Sequence, residues 1–154
     1  LQPYIERGDI KVVYNKMVDN WSFEAGYEAA NECLRNYKVD AFIAGNDLLA
    51  RGAIKALLER GLAGKVLVAG QDADTQAREY IIQGYQTMSV YKSIEDIASN
   101  AARMAMDMAN GNNIFYATYT VNNGFKMVPS LLIDPISVNK GNIGMEIDTR
   151  KKIK

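Results

Sequence analysis

The sequence has no histidine and only one cysteine, Cys33, among its 154 residues. Cys/His zinc sites, disulfide frameworks and the Cys–His and Ser–His pairs of many hydrolases therefore cannot form within this chain. Cys33 has helical spacing from Ala30 and adjoins Leu34, which predicts a small buried side chain and not a reactive thiol. Much of common enzymology is excluded by these absences.

Charge of one sign is also lacking, because 18 basic residues balance 18 acidic ones. Without a net field that would attract it to nucleic acid, the chain is expected to have no DNA or RNA partner. There is no apolar run of about eighteen residues, and residues 1–20 lack the charged, apolar and small-residue regions of a signal peptide. The chain begins at Leu1 without an initiator Met, so we expect any targeting signal to lie upstream.

What is present is an alternation of short aliphatic or β-branched runs with amphipathic helical patterns. This alternation is typical of βαβ units, so we predict an α/β fold with a parallel sheet and helices on both faces. The predicted strands lie at 10–14, 40–45, 65–70 and 87–91, and the predicted helices at 23–36, 47–60, 74–83 and 93–110.

Each predicted helix begins at a residue type that commonly caps helix N-termini. These residues are Ser22, Asp47, Asp74 and Ser93. Met104 and Met108 lie on the apolar stripe of the last helix, and we predict that they are core residues. Beyond that helix, Asn122-Asn123-Gly124 is a turn signal between two further strands.

Polar residues follow the second, third and fourth predicted strands at their carboxyl ends. They are Asn46 with Asp47, then Gln71 with Asp72, and then Lys92. Ligands of open parallel sheets bind beyond these ends, because loops and helix N-termini converge there. An amide, a carboxylate and an ammonium supply the mixture of donors and acceptors that vicinal hydroxyls require. The pattern therefore favours a neutral polyol or sugar, bound by Asn46, Asp72 and Lys92.

The spacing leaves other interpretations open. Asp47 directly precedes a predicted helix, so an N-cap role is favoured over a ligand contact. Asp72 and Lys92 are also compatible with a structural ion pair on the sheet edge. Trp21, the only tryptophan, lies in the loop before the first predicted helix, where it either offers a flat apolar face to a sugar ring or packs in the core.

Catalysis by these residues is the main functional alternative. Lys92 would form a Schiff base, or Asp72 would act as nucleophile or general base. However, the spacing places no second carboxylate beside Asp72, and no Gly-rich fingerprint follows a strand to hold a phosphate or dinucleotide. A phospho-receiver domain is disfavoured because the first predicted strand ends at Val13-Tyr14-Asn15 without an acidic pair. We therefore predict a binding protein with no catalytic residues, no metal and no cofactor.

At these same residues the chain resembles the xylose-binding proteins of bacterial ABC importers, within the type I periplasmic-binding-protein family. Ribose binders resemble it less closely, typically with Gln where Lys92 stands. The stretches that carry the resemblance are Asn46-Asp47 with Gly52-Ala53-Ile54-Lys55-Ala56-Leu57, Gly61-Leu62 with Gly64-Lys65-Val66, Gly70-Gln71-Asp72-Ala73-Asp74, Gln86-Thr87-Met88 with Val90-Tyr91-Lys92, Asn122-Asn123-Gly124 with Val128-Pro129-Ser130, and Pro135-Ile136 with Val138-Asn139-Lys140.

The resemblance implies a role for each candidate residue. Asn46, Asp72 and Lys92 would hydrogen-bond the hydroxyls of D-xylose, and Trp21 would stack on the sugar ring. It further implies an extracytoplasmic protein, either periplasmic or lipid-anchored on a Gram-positive surface, that delivers sugar to an ABC permease. Two alternatives share the fold: a xylose sensor that engages a membrane histidine kinase, and the effector domain of a LacI-type repressor.

Proteins of this family are about twice as long as this chain and have two lobes. The resemblance implies that residues 1–91 are an incomplete C-terminal lobe and that 92–118 form a crossover helix and strand of the other lobe. Residues 119–154 would return through the hinge to the C-terminal lobe and tail. In the family's sheet, whose strands are ordered 2-1-3-4-5, the strand at 10–14 would be strand 2. Strand 1, which would lie between it and the strand at 40–45, is missing from the chain. An empty central slot exposes unpaired backbone groups, so we expect a partner segment there, either the missing N-terminal part of the same protein or another copy of the chain.

Overall fold

The structure is a computed structural model that describes residues 1–114 and 117–144. These residues form two compact units, here called the first unit (1–91 with 137–144) and the second unit (92–136). The tail predicted at the end of the chain falls in 145–154, which lies outside the described residues. In chain order, the elements are α1 (Gln2–Glu6), α2 (Phe23–Asn36), β1 (Ala41–Ile43), α3 (Asp47–Leu58), β2 (Leu67–Gln71), α4 (Thr75–Gln83), β3 (Met88–Tyr91), α5 (Ile94–Ala109), β4 (Tyr119–Asn122), β5 (Met127–Ser130) and β6 (Ile136–Asn139).

The first unit is built on a four-stranded sheet with the order β1-β2-β3-β6. β1 pairs with β2, and β2 with β3, both in parallel. Parallel neighbours need a crossover connection, and α3 and α4 supply the two that are required here. The α/β class predicted from the alternating pattern is confirmed.

The core of the first unit lies on one face of this sheet. Ile54 and Leu57 of α3 pack against Val68 of β2, and all three side chains are fully buried. Helices α2 and α4 add Leu34 and Tyr80 to the same cluster, so three helices cover one face. The sheet's other face is uncovered at β1 and β2, where Ile43 and Leu67 are 67% and 55% exposed.

Helices α2 and α3 approach each other through two glycines. A Cβ on Gly26 would lie 2.3 Å from the Leu49 carbonyl oxygen, and one on Gly52 would lie 2.2 Å from the Phe23 carbonyl oxygen. No side chain larger than hydrogen fits at either position unless the helices separate. Backbone-to-backbone contact of this kind fixes the position of one helix on the other.

The strand predicted at 10–14 does not form, so this prediction is wrong. Residues 10–14 have no regular secondary structure, and Ile10 and Val12 remain 36% and 54% exposed. A β-branched run becomes a strand only when a neighbouring strand completes its hydrogen-bond ladder. In the described sheet β1 is an edge strand next to β2, and residues 10–14 do not extend the ladder beyond it.

The predicted helix caps are confirmed at three of four positions. The Ser22, Asp74 and Ser93 side chains accept hydrogen bonds from the backbone N–H groups of Ala25, Ala77 and Asp96. The prediction for α3 is wrong, because Asn46 is its N-cap. Asp47 is the first helical residue and is only 2% exposed, which assigns it a different role.

The second unit contains α5 and a hairpin of β4 and β5. These strands pair antiparallel, with Val121 opposite Val128, and Gly124 has a φ of 91° in the turn predicted from the Asn-Asn-Gly sequence. The prediction that Met104 and Met108 are core residues is wrong: α5 has no buried residue, and Met108 is 67% exposed. One helix and one hairpin provide too little surface to enclose an apolar stripe. Among the described residues, no helix has the length and apolar character needed to cross a membrane.

Candidate functional site

An exposed tryptophan lies at the carboxyl end of β1. A Cβ on Gly45 would lie only 3.2 Å from Cη2 and Cζ3 of Trp21, so the indole ring rests directly on the backbone of this glycine. The Trp21 side chain is nevertheless 54% exposed. The structure therefore presents Trp21 as a surface platform beside the sheet edge and not as a core residue.

Asn46 follows Gly45 and connects this platform to α3. Its Oδ1 accepts a hydrogen bond from the Leu49 N–H at 2.9 Å, and its Nδ2 donates to the Trp21 carbonyl at 3.4 Å. A carboxamide has two donor hydrogens and two acceptor lone pairs, so these two contacts leave capacity for a ligand hydroxyl. Capping of α3 thus fixes the orientation of a side chain that the sequence predicts to bind ligand.

Asp72 lies at the carboxyl end of β2, in a loop with unusual backbone geometry. Its N–H donates to the Val90 carbonyl at 2.8 Å, which extends the β2–β3 ladder by one bond. Asp72 and Ala73 have φ values of 100° and 52°, in a region that non-glycine residues rarely adopt. Each such residue costs on the order of 1–3 kcal/mol, and conformations of this kind concentrate at functional sites.

The loops that follow β1 and β2 are adjacent. Gln71 Nε2 donates to the Gly45 carbonyl at 3.4 Å, and the two strands run side by side up to this point. Trp21, Asn46 and Asp72 are therefore brought to one edge of the first unit, on the segments that precede α2, α3 and α4. Lys92, the fourth predicted residue, directly follows β3 and is the first residue of the second unit.

A buried carboxylate that sequence reasoning assigned only as a cap lies beneath this edge. Asp47 accepts hydrogen bonds from the Ser89 hydroxyl, from Gln86 Nε2 and from the Asp74 N–H, at 2.9, 2.8 and 3.2 Å. Burial raises the pKa of its carboxyl group, an effect that these three hydrogen bonds oppose. The side chain lies so close to β2 that a Cβ on Gly70 would be 2.2 Å from Asp47 Oδ1.

One sequence feature could have indicated this role. Asn46 and Asp47 are consecutive polar residues at the end of a strand, and only one of them can occupy the N-cap position. The other enters the first turn of the helix, where its side chain faces the sheet. A carboxylate at that position has to find hydrogen-bond donors nearby, since burying a charge without partners is costly.

The chain matches a known protein family over most of its length. Residues 2–113 match the family model described as a periplasmic binding protein domain. The chain belongs to the periplasmic binding protein family. Its solute-binding members are receptors and not enzymes, and the α/β architecture of the first unit is the one seen in solved relatives.

Two relatives in this periplasmic binding protein family are similar over almost the whole chain. The D-xylose-binding periplasmic protein of Escherichia coli is 47% identical over 93% of this chain, which corresponds to 44% of that protein. The protein of the same name from Haemophilus influenzae is 46% identical over 93% of this chain and 43% of its own length. The chain therefore spans less than half the length of these relatives.

A solved structure gives the same result for the fold. The periplasmic solute binding protein of an Actinobacillus succinogenes ABC transporter, determined with bound D-allose, superimposes with a TM-score of 0.76 at 27% identity. The match covers 92% of this chain and 46% of that protein. The predicted membership of the periplasmic binding protein family, and the prediction of an incomplete fold, are confirmed.

Proposed function

We propose that this chain is the C-terminal part of a two-lobed, extracytoplasmic receptor that binds D-xylose for an ABC sugar importer. The observation that carries the proposal is the grouping of Trp21, Asn46 and Asp72 at one sheet edge. The similarity to two proteins named for D-xylose binding supports the choice of sugar. The D-allose-bound relative is the solute binding protein of an ABC transporter, which favours the importer over the sensor and the repressor.

Each proposed ligand residue has a distinct chemical role. The exposed indole of Trp21 offers an apolar face to the C–H groups of a sugar ring. The Asp72 carboxylate accepts hydrogen bonds from hydroxyls, and the Asn46 amide both donates and accepts. We include Lys92, which directly follows β3, as the donor of a charge-assisted hydrogen bond. Nothing in this set calls for a metal or a cofactor, and the sugar leaves the receptor unchanged.

The remainder of the proposed receptor would cover apolar surfaces that are open in this chain. Ile43 and Leu67 are exposed on one face of the sheet of the first unit, and within the second unit Ile94 of α5 is 77% exposed. Apolar groups on this scale are normally covered in a soluble protein. We propose that residues 1–91 belong to the C-terminal lobe and that 92–118 belong to the other lobe. Residues 119–154 would then return to the C-terminal lobe.

Sugar would bind in the open receptor and select its closed form, because only that form brings both lobes onto the ligand. The closed form would then be the one that the permease recognises. A consequence is that this chain by itself should bind sugar weakly or not at all. The missing part of the same protein is therefore the partner that we propose for it, in preference to a second copy.

Calorimetric titration of the full-length receptor tests this proposal. We expect D-xylose to bind more tightly than D-ribose, L-arabinose or D-glucose, since the ligand set is the one implied by xylose-binding relatives. Absence of heat with all four sugars would contradict the proposal. Recovery of a chemically altered sugar after incubation would contradict the assignment as a receptor.

Replacing Trp21 with alanine is expected to weaken D-xylose binding by roughly tenfold, because about 1.4 kcal/mol of ring stacking is lost. The same titration measures this change. Tyr37→Ala is the matched control, since Tyr37 is also an exposed aromatic residue, at 45%, but lies at the opposite end of α2. Equal losses in the two variants would show that Trp21 is not a specific contact.

A further inference from the structure

We propose that Asp47 and Ser89 are positioning residues that hold the 72–74 loop in its left-handed conformation and thereby aim Asp72 at the sugar. This inference rests on the proposed function, because it assumes that Asp72 binds the sugar. Neither Asp47 nor Ser89 would touch the sugar. Their role is to determine where the Asp72 carboxylate points.

A continuous chain of hydrogen bonds connects the loop to Asp47. The Ala73 N–H donates to Ser89 Oγ at 2.9 Å, and the Ser89 hydroxyl in turn donates to the Asp47 carboxylate at 2.9 Å. On the other side of Ala73, the Asp74 N–H donates directly to Asp47 Oδ2 at 3.2 Å. Two successive backbone N–H groups of the loop thus depend on one carboxylate.

These hydrogen bonds lie in the interior of the first unit. Asp47 is 2% exposed, Ser89 is 0% exposed and Ala73 is 3% exposed. Water therefore cannot replace a lost partner at this position, and an unmet donor or acceptor carries its full desolvation penalty. The network can therefore hold Asp72 and Ala73 at positive φ, a conformation that would relax in a solvent-exposed loop without these bonds.

The loop needs such support because its backbone is strained. Asp72 and Ala73 both have positive φ values, although neither is glycine. The loop is also fixed at its far end, where Asp74 caps α4 and pairs with Arg51 Nη2 at 2.7 Å. If the bonds to Asp47 were lost, the strained residues between β2 and α4 would relax, and the Asp72 side chain would turn with them.

The network specifically requires a carboxylate at position 47. All three of its partners are donors: the Ser89 hydroxyl, the Gln86 amide N–H and the Asp74 backbone N–H. An asparagine would match the shape of the side chain but would direct its own NH₂ group at one of these donors. Asp47→Asn therefore removes the function of this group with little change in volume.

A double-mutant cycle in the full-length receptor tests the inference. We expect Asp47→Asn and Ser89→Ala each to weaken D-xylose binding by roughly tenfold. In an Asp72→Asn background, the same changes should weaken it by less than about twofold, because their effect acts through Asp72. Equal losses with and without Asp72 would overturn the inference and leave a purely structural role.

Two controls keep the test independent of overall stability. Ser89→Thr retains the hydroxyl and should keep affinity closer to that of the wild type than Ser89→Ala does. In Asp47→Asn and Ser89→Ala, a peptide covering residues 72–75 should exchange its amide hydrogens faster than in the unmodified receptor. Unchanged protection of this peptide in both variants would overturn the inference. Asp40→Asn, at the other end of β1, should leave affinity and exchange unaltered.

The outcomes also separate this inference from the proposed function. If Asp72→Asn itself leaves D-xylose affinity unchanged, the ligand assignment fails and the inference fails with it. If Asp72→Asn weakens binding while Asp47→Asn and Ser89→Ala do not, only the positioning role is wrong.

Discussion

Replacing Gly52 with alanine is expected to destabilise the first unit by about 3 kcal/mol, the upper part of the range for overpacking a dense interior. The added Cβ would lie 2.2 Å from the Phe23 carbonyl oxygen and 2.4 Å from the Tyr27 nitrogen. Both are backbone atoms of α2, so no side-chain rotation relieves the contact. Helix propensity alone would favour alanine by about 1 kcal/mol, and the steric term therefore reverses the sign.

Hydrogen exchange in peptides from α2 and α3, together with thermal unfolding of the full-length receptor, measures this effect. Gly61→Ala is the matched control: it introduces the same methyl group where no atom beyond the adjacent residues lies within 4 Å, at a residue with a φ of 64°. It should cost only about 1 kcal/mol, from the left-handed backbone. A Gly52→Ala variant no less stable than Gly61→Ala would contradict a steric overlap between α2 and α3 at this position.

Replacing Asp72 with alanine is expected to weaken D-xylose binding roughly 10- to 150-fold. This range corresponds to one hydrogen bond between a charged group and a hydroxyl, worth about 1.5–3 kcal/mol. The loss is expected in affinity, because the exposed Asp72 carboxylate is removed while alanine retains the backbone bond to Val90.

The matched control for this variant is Asp40→Ala. Asp40 is an exposed aspartate at the amino end of β1, and the bond it makes to the Leu67 N–H uses its backbone carbonyl, which alanine retains. Titration with D-xylose should show no change in the control. If the dissociation constant of Asp72→Ala lay within about twofold of that of the unmodified receptor, Asp72 would not be a sugar-binding residue.

The parts of the fold that depend on local signals could be predicted from the sequence. Helix α2 occupies the predicted residues, because Ser22 caps it and the apolar spacing defines its length. Helix α4 likewise begins after its predicted cap, Asp74, and ends at Gly84, which has a φ of 83°. In both cases the information lies within a few residues of the boundary.

The errors arise where structure depends on distant partners. Residues 10–14 have strand composition, but the strand that would pair with them is not among the described elements. Met108 has the spacing of a core residue, but an amphipathic stripe does not specify what surface covers it. Periodicity reports which way a side chain faces and not whether a partner is present.

The candidate site could be predicted only in part, because some of its residues follow from local sequence signals and others from contacts distant along the chain. Asn46 and Asp72 follow from the rule that ligands bind at the carboxyl ends of parallel strands. The role of Asp47 does not, because it depends on Ser89 and on the space left by Gly70, both far along the chain. Likewise, the position of Trp21 depends on contact with Gly45, from which α2 and β1 separate it along the chain.

The close glycine contact between α2 and α3 has a consequence for ligand affinity. Trp21 lies immediately before α2 and Asn46 immediately before α3, so both are attached to helices that are interlocked at Gly26 and Gly52. In the proposed receptor, the aromatic platform and the amide would therefore be preorganised relative to each other before sugar arrives. Such a receptor would lose little conformational entropy on ordering that part of its site, which would leave more of the contact energy available as affinity.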